Sequence, residues 1–151
     1  MSEPIALPDL ATSAKLGAAL ARLLRPGDVV ALAGELGAGK TSLVRAILSA
    51  MAGAALEVPS PTYTLVQTYS IAGRELYHFD LYRLTGPAEL DELGWEDTVD
   101  GIALIEWPDR AGPRLPAWRL DISLDMSGQG RIARLEPHGE DWQSRLNEFC
   151  I

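Results

Sequence analysis

The stretch GELGAGKTSL, residues 34–43, constrains the fold more than any other part of the chain. A short unbroken apolar run, residues 29–33, precedes it and is typical of a strand buried on both faces of a parallel sheet. After Lys40, apolar residues recur at helical spacing as far as Met51, and Gly53 can close a helix. The sequence therefore predicts a buried strand, a glycine-rich loop and a helix in immediate succession.

The loop fits the pattern G-x-x-x-x-G-K-[ST], with Gly34, Gly39, Lys40 and Thr41 at the fixed places. Glycines allow backbone N–H groups to point inward, and the first turn of the following helix adds partial positive charge. Such a loop binds nucleotide phosphates, with Lys40 at the β- and γ-phosphates and the Thr41 hydroxyl on Mg²⁺. Glu35 must then point outward. The alternative is a glycine-rich turn that binds no ligand.

Chemistry on a bound nucleotide also requires carboxylates, which usually follow a hydrophobic strand beside the loop strand. Asp80 ends the segment RELYHFD, and Glu106 ends the segment GIALIE. Both acids are candidates for orienting the metal shell or the attacking water of an ATPase, and the sequence does not divide these roles. The alternative for each is an ordinary solvated strand end. His78 lies among aromatic residues and is interpreted as a packed histidine rather than a base.

The segment VPSPTYTLVQTY contains two prolines that favour an extended backbone, and several hydroxyl groups. One interpretation is a switch segment over the γ-phosphate, with Thr62 as the sensing hydroxyl. The other is a strand entry with ordinary polar side chains.

Leucines at helical spacing over residues 14–24 predict an amphipathic helix. Thr12 or Ser13 is the predicted N-cap, and Pro26-Gly27 is the predicted stop. This helix is interpreted as a surface helix.

The last third of the chain also reads as support without obvious chemistry. Residues 118–126 and 131–137 alternate apolar and polar side chains around a glycine-containing turn, which predicts a hairpin. Residues 142–149 predict a short closing helix. Trp118 and Trp142 are predicted to be packing residues.

Composition limits the classes of function. The 151 residues, 47 % of them apolar, predict one domain spanning 1–151. The chain lacks a ~20-residue apolar run and a signal-like N-terminus, so a cytoplasmic protein is expected. Cys150 is the single cysteine, which excludes an intramolecular disulfide and a cysteine zinc cluster. The net charge of −8 disfavours direct, unaided nucleic-acid binding.

Four segments, GELGAGKTSLVRAI, SPTYTLVQTY, YHFDLYRL and ALIEWPDR, resemble the TsaE family of bacterial P-loop ATPases in the same order. The resemblance implies an α/β, P-loop NTPase-like fold with a mixed central sheet flanked by helices and a β-rich C-terminal half. It implies a small cytoplasmic ATPase that binds ATP and Mg²⁺. It further implies a role in threonylcarbamoyl modification of adenosine 37 in tRNA, with TsaB and TsaD as partners and tRNA contacted only through their complex.

The resemblance also implies a set of site residues. The phosphates would be held by Gly37, Ala38, Gly39, Lys40, Thr41 and Ser42. Thr41 and Glu106 would serve Mg²⁺, with Asp80 at the same catalytic centre, Thr62 in the switch segment and Trp107 beside the nucleotide. The hydroxyl that approaches the nucleotide from the N-terminal part falls on Ser13, with Thr12 as the alternative.

Two other functions remain compatible with a phosphate loop. A small-molecule kinase would need a second substrate pocket and an arginine-bearing lid, for which Arg110 and Arg114 are the nearby candidates. A nucleotide-gated binding module would not hydrolyse ATP productively. The chain has no N-K-x-D sequence, a common guanine-reading signature, so ATP is favoured over GTP. Arg83 and Arg110 each follow an acid but are as well explained as surface side chains, so slow hydrolysis without partners is expected.

Overall fold

A computed structural model describes residues 4–35, 37–58 and 65–149. Its strands are β1 Ile5–Leu7, β2 Val29–Ala33, β3 Val66–Ile71, β4 Arg74–Asp80, β5 Ile102–Glu106, β6 Arg119–Ser127 and β7 Gly130–His138. Its helices are α1 Leu10–Leu23, α2 Lys40–Ala52 and α3 Glu140–Asn147, and short 3₁₀ segments cover Pro87–Leu93, Trp95–Asp100 and Pro108–Arg114.

The strands form one sheet in the order β1-β7-β6-β2-β5-β4-β3. The four central strands β6, β2, β5 and β4 are parallel, whereas β1, β7 and β3 pair antiparallel with their neighbours. The predicted mixed sheet flanked by helices is therefore confirmed. Within the described residues, no helix has both the length and the apolar character needed to cross a membrane.

Helices α1 and α2 pack closely together over one face of the sheet. A Cβ added at Gly17 of α1 would lie 2.5 Å from the Cβ of Ala46 on α2, so the glycine permits this close approach. Leu32, Leu104 and Ile47 belong to the buried cluster on this side. On the other side, a second cluster beneath the 3₁₀ segments includes Phe79, whose ring meets Trp95 edge-on with centroids 5.1 Å apart.

The start of α1 differs from the prediction. Asp9 is the N-cap, and its carboxylate accepts hydrogen bonds from the Thr12 backbone N–H at 2.8 Å and the Thr12 hydroxyl at 2.7 Å. These hydrogen bonds lower the pKa of Asp9. Thr12 and Ser13 lie inside the first turn, so the prediction that one of them is the N-cap is wrong. A carboxylate placed just before the helix accepts the orphan amide instead.

The hairpin and closing helix are confirmed as β6, β7 and α3. Trp142 is buried as predicted, but Trp118 is 80 % exposed, so its prediction as a packing residue is wrong. Trp118 precedes the first paired residue of β6, Arg119, and the alternation that buries side chains along the strand does not extend to it.

A buried ion pair anchors α3 beneath the sheet. The Arg145 guanidinium donates two hydrogen bonds to Asp28, at 2.7 and 2.8 Å, and lies 3.8 Å from the centroid of the Trp142 ring. The hydrogen bonds to Asp28 raise the pKa of Arg145. This anchor lies where β2 begins, whereas the glycine-rich loop follows the other end of that strand.

Candidate functional site

The predicted phosphate loop, residues 34–41, connects β2 to α2 and depends on glycine at two positions. Gly34 has φ 149°, and a Cβ there would lie 2.5 Å from the Leu124 carbonyl oxygen. Gly39 is the N-cap of α2 in the left-handed region, with φ 99°. The first helical hydrogen bond of α2 runs from the Leu43 N–H to the Gly39 carbonyl at 2.9 Å. The preceding amides of the first turn therefore have no intrahelical partner and can face an anion.

Lys40 is folded back onto the loop that carries it. Its Nζ donates to the carbonyls of Gly34 at 2.6 Å and Glu35 at 2.9 Å, and lies 4.4 Å from the centroid of the Trp107 ring. Burial lowers the pKa of Lys40, and the negative charges of Glu106 and Asp80 oppose that shift. The Glu35 side chain is exposed, in agreement with the expected outward orientation.

Glu106 receives hydrogen bonds from two elements. The Thr41 hydroxyl donates to its two carboxylate oxygens at 3.1 and 2.9 Å, and His78 Nε2 lies 2.5 Å from Oε2. The carboxylate is almost fully buried, as is His78. His78 is therefore packed, as interpreted from the sequence, but it also contacts the acid at the centre of the site. Because an ionised carboxylate only accepts hydrogen bonds, the Nε2 atom is the donor.

The sheet register brings the two acids together. Asp80 and Glu106 end neighbouring parallel strands and are paired in register, so their side chains lie on the same face. The Asp80 carboxylate accepts a hydrogen bond from the Tyr82 N–H at 3.1 Å. Trp107 follows Glu106 with a left-handed backbone, φ 58° and ψ 55°, and its ring packs against Tyr82 with centroids 4.9 Å apart.

These residues surround a cleft of about 470 Å³. Its lining consists of Gly37, Gly39, Lys40, Thr41, Ser42, Asp80, Tyr82, Arg83, Glu106, Trp107 and Arg131. The cleft contains the hydroxyl oxygen of Thr41 and the carboxylate oxygens of Asp80 and Glu106. Oxygen atoms of these kinds are the ligands that Mg²⁺ prefers. The donor set therefore fits Mg²⁺, with Thr41 and Glu106 as the residues closest to each other.

Three further residues are predicted from the sequence to belong to the site, namely Ala38, Ser13 and Thr62. Ala38 is buried and does not line this cleft. It lines an adjoining groove together with Ser13, Gly39 and Ser42. The Ser13 hydroxyl donates to the Asp9 carbonyl at 3.3 Å. Thr62 lies outside the described residues, as does the rest of the SPTYT segment.

Of the arginines considered, Arg83 lines the cleft, whereas Arg110 and Arg114 do not. Arg110 is exposed, and Arg114 donates to Asp91 at 2.8 Å.

Arg131 is a cleft residue that the sequence analysis missed. It comes from β7, the strand interpreted as lacking chemistry, and donates to the carbonyl oxygens of Ala38 and Gly37, each at 3.0 Å. These hydrogen bonds span 93 and 94 positions of the chain, so no local pattern could have revealed them.

A second polar cluster lies on β6 and β7. Asp121, Glu136 and His138 bring potential ligand atoms within 4.8 Å of one another. Arg119 already donates to both carboxylate oxygens of Asp121, at 2.8 and 3.3 Å, and His138 Nε2 lies 2.8 Å from the same carboxylate. The Asp121 carboxylate is already hydrogen-bonded by Arg119 and His138, so these residues are interpreted as a structural cluster rather than a metal site.

The chain is similar to known proteins over most of its length. The family model described as "Threonylcarbamoyl adenosine biosynthesis protein TsaE" matches residues 7–134. The tRNA threonylcarbamoyladenosine biosynthesis protein TsaE of Rickettsia felis is 39 % identical over 118 residues, which cover 78 % of this chain and 69 % of the relative. The protein of the same name from Haemophilus influenzae is 45 % identical over 109 residues, which cover 71 % and 68 %.

A solved structure is also similar over almost the whole chain. The crystal structure of Bacillus subtilis YdiB superposes with a TM-score of 0.80 at 27 % identity, covering 97 % of this chain and 92 % of YdiB.

Proposed function

This chain belongs to the TsaE family, and from that membership we propose that it is a cytoplasmic, Mg²⁺-dependent ATPase of tRNA N6-threonylcarbamoyladenosine biosynthesis. It acts with TsaB and TsaD, supports turnover of their complex, and reaches tRNA only through that complex. One observation supports the ATPase part above all others: Lys40 and Thr41 at the start of α2 face Glu106 and Asp80 across one cleft.

The loop supplies the binding energy for the phosphates. Lys40 exchanges its contacts with the Gly34 and Glu35 carbonyls for the β- and γ-phosphate oxygens, and the free amides of the first turn of α2 bind the same anion. Trp107 packs against Lys40 and keeps one side of the ammonium group away from water. In this drier environment the attraction between Lys40 and the phosphates is stronger than in bulk solvent.

Thr41 and Glu106 are the residues proposed to hold Mg²⁺, since a hydroxyl and a carboxylate oxygen are already in contact there. The ion, when bound, supplies positive charge next to the phosphate oxygens that become more negative during transfer. His78 and the Thr41 hydroxyl both contact Oε2 of Glu106 and keep its carboxylate oriented. The attacking water is oriented by Asp80 or Glu106, the two carboxylates that the register holds side by side.

The kinase alternative gains no support from the cleft. Arg110 and Arg114, the arginines considered for a lid, do not line it, and Arg114 is engaged with Asp91. The net charge of −8 is consistent with a protein that serves tRNA modification without binding tRNA by itself.

The proposal is tested by reconstitution. We measure phosphate release by this protein alone, by the TsaB–TsaD pair alone and by the mixture, together with multiple-turnover modification of tRNA. We expect the mixture to hydrolyse ATP faster than the sum of its parts and to sustain repeated rounds of modification. Additive hydrolysis together with tRNA modification that is indifferent to Lys40→Ala would refute the proposed role.

Nucleotide selectivity gives a separate prediction. Mg²⁺-ATP should raise the melting temperature more than Mg²⁺-GTP does, because only a ligand that binds the folded state adds the linkage free energy. Binding should also change the tryptophan fluorescence, since Trp107 contacts Lys40. Trp107→Phe is the control that should remove the fluorescence change while leaving the ATP-dependent melting shift. A stronger stabilisation by GTP would contradict the adenine assignment.

A further inference from the structure

Arg131 occupies a fixed position beside the phosphate loop. It is the second residue of β7, and its backbone pairs with Leu7 of β1 on one side and Met126 of β6 on the other. The guanidinium donates to Ala38 O through Nε and to Gly37 O through Nη2, each at 3.0 Å. The loop is thus held by a strand whose position is set by the sheet.

The two bonded carbonyls determine where the loop amides point. In a trans peptide the C=O and N–H groups point in opposite directions. Binding of the Gly37 and Ala38 carbonyls by Arg131 therefore turns the N–H groups of Ala38 and Gly39 away from the guanidinium. The Ala38 N–H closes a turn on the Glu35 carbonyl at 3.0 Å, and the Gly39 N–H begins the anion-binding end of α2.

The charge of Arg131 has no counterion in the part of the chain that the structure describes. Its hydrogen bonds all go to backbone carbonyls, those of Gly37, Ala38, Gln129 and Gly130. Arg119, Arg134 and Arg145, by contrast, each form an ion pair with an aspartate. An uncompensated guanidinium at the rim of a cleft, in a chain of net charge −8, is suited to an anionic ligand.

We infer that Arg131 is a positioning residue of the nucleotide site that also contributes positive charge to polyphosphate binding. It holds the phosphate loop in a conformation that directs the Gly39 N–H toward the anion-binding end of α2, and its own charge attracts the phosphates at the rim. A Cβ added at Gly39 would lie 3.8 Å from Arg131 Nε, which places the guanidinium in van der Waals range of the loop. The inference rests on the proposed function, because it assumes that the cleft binds a nucleoside polyphosphate.

The test compares Arg131→Gln and Arg131→Lys with a matched control, Arg134→Gln. Arg134 lies on the same strand, is exposed and pairs with Asp125 at 3.0 Å, so its loss changes the net charge equally without touching the loop. The dissociation constants for ATP and ADP are measured by calorimetry on the full chain at low and high salt. The melting temperature of each nucleotide-free variant is recorded alongside.

We expect Arg131→Gln to weaken ATP and ADP binding about tenfold, as for the loss of charge-assisted hydrogen bonds, at both salt concentrations. Arg131→Lys should be intermediate, because a compact ammonium keeps the charge but cannot reach two carbonyls as a fork. Arg134→Gln should bind ATP as the wild type does at high salt, where long-range effects are screened. The nucleotide-free melting temperature of Arg131→Gln should lie at or below that of Arg134→Gln, because only Arg131→Gln loses hydrogen bonds to the loop.

Two results would overturn the inference: wild-type affinity in Arg131→Gln, or equal weakening by Arg131→Gln and Arg134→Gln at high salt. Should Arg131→Gln fail to fold, Arg131→Lys decides, and wild-type affinity in that variant also overturns it. A wild-type protein that binds neither ATP nor ADP contradicts the proposed function rather than the role of Arg131.

Discussion

Lys40→Ala should abolish ATP hydrolysis and weaken ATP binding. The substitution removes the ammonium group that lies between the loop carbonyls and the Trp107 ring, at the floor of the cleft. A cation in a water-poor site interacts strongly with charge that develops on phosphate oxygens, and removal of one such group lowers turnover by about 10²–10³-fold. Because the same cation also binds ground-state phosphates, the dissociation constant for ATP should rise in parallel.

The control for this variant is Lys15→Ala. Lys15 is the other lysine of the chain and is exposed on α1, so its loss changes the net charge by the same amount without reaching the cleft. Phosphate release and ATP affinity are measured for both variants with and without TsaB and TsaD. Retention of wild-type hydrolysis by Lys40→Ala would show that the loop does not act on the nucleotide.

Glu106→Gln should chiefly lower turnover. Glutamine keeps the size of the side chain and can still contact Thr41 and His78, but it removes the negative charge at the point where these two residues converge. Loss of an acid that orients the metal shell or the water should reduce kcat by about 10²-fold or more. The affinity for ATP without Mg²⁺ should change by less than about threefold, because the phosphate loop is intact.

Asp80→Asn is the matched comparison, since Asp80 is the registered neighbour of Glu106 at the same edge of the sheet. Single-turnover hydrolysis in the presence of TsaB and TsaD, the proposed partners, separates the two acids. The larger loss identifies the acid closer to the chemistry. Normal hydrolysis by Glu106→Gln would leave Asp80 as the principal candidate.

The region from β2 through α2 could be predicted because its signals are local. A short apolar run, fixed glycine positions and helical spacing lie within about two dozen consecutive residues, and each corresponds to an element of the structure. The hairpin of β6 and β7 could be predicted for the same reason. Apolar and polar residues alternate on both sides of a tight turn, and this pattern determines how the two strands pair.

To predict that Asp80 and Glu106 lie close together, one must also assume that their strands are parallel neighbours in the sheet. Each was expected at a strand end, and the carboxyl ends of parallel neighbours meet at one edge of the sheet. The sequence could not show that His78 contacts Glu106. This contact requires the side chain of Glu106 to reach back along β5, and alternation along β4 places His78 on that same face.

Arg131 and Trp118 illustrate what local reasoning cannot reach. The hydrogen bonds of Arg131 to the loop depend on which strand neighbours β6, and that order is a property of the whole sheet. Trp118 was predicted to be a packing residue, but it lies outside the paired region of β6 and is exposed. Both outcomes follow from tertiary pairing rather than from residue type.

The left-handed backbone conformation of Trp107 lowers the stability of the folded protein, and this cost offsets part of what the side-chain contacts of Trp107 contribute. At φ 58° and ψ 55°, a residue with a Cβ is about 1–2 kcal/mol less favourable than in the right-handed region. Glycine is the residue that removes this strain, and it would also remove the ring that packs on Lys40. A glycine at this position would therefore relieve the backbone strain and remove the aromatic contact with Lys40, whereas a residue that keeps the ring also keeps the strain.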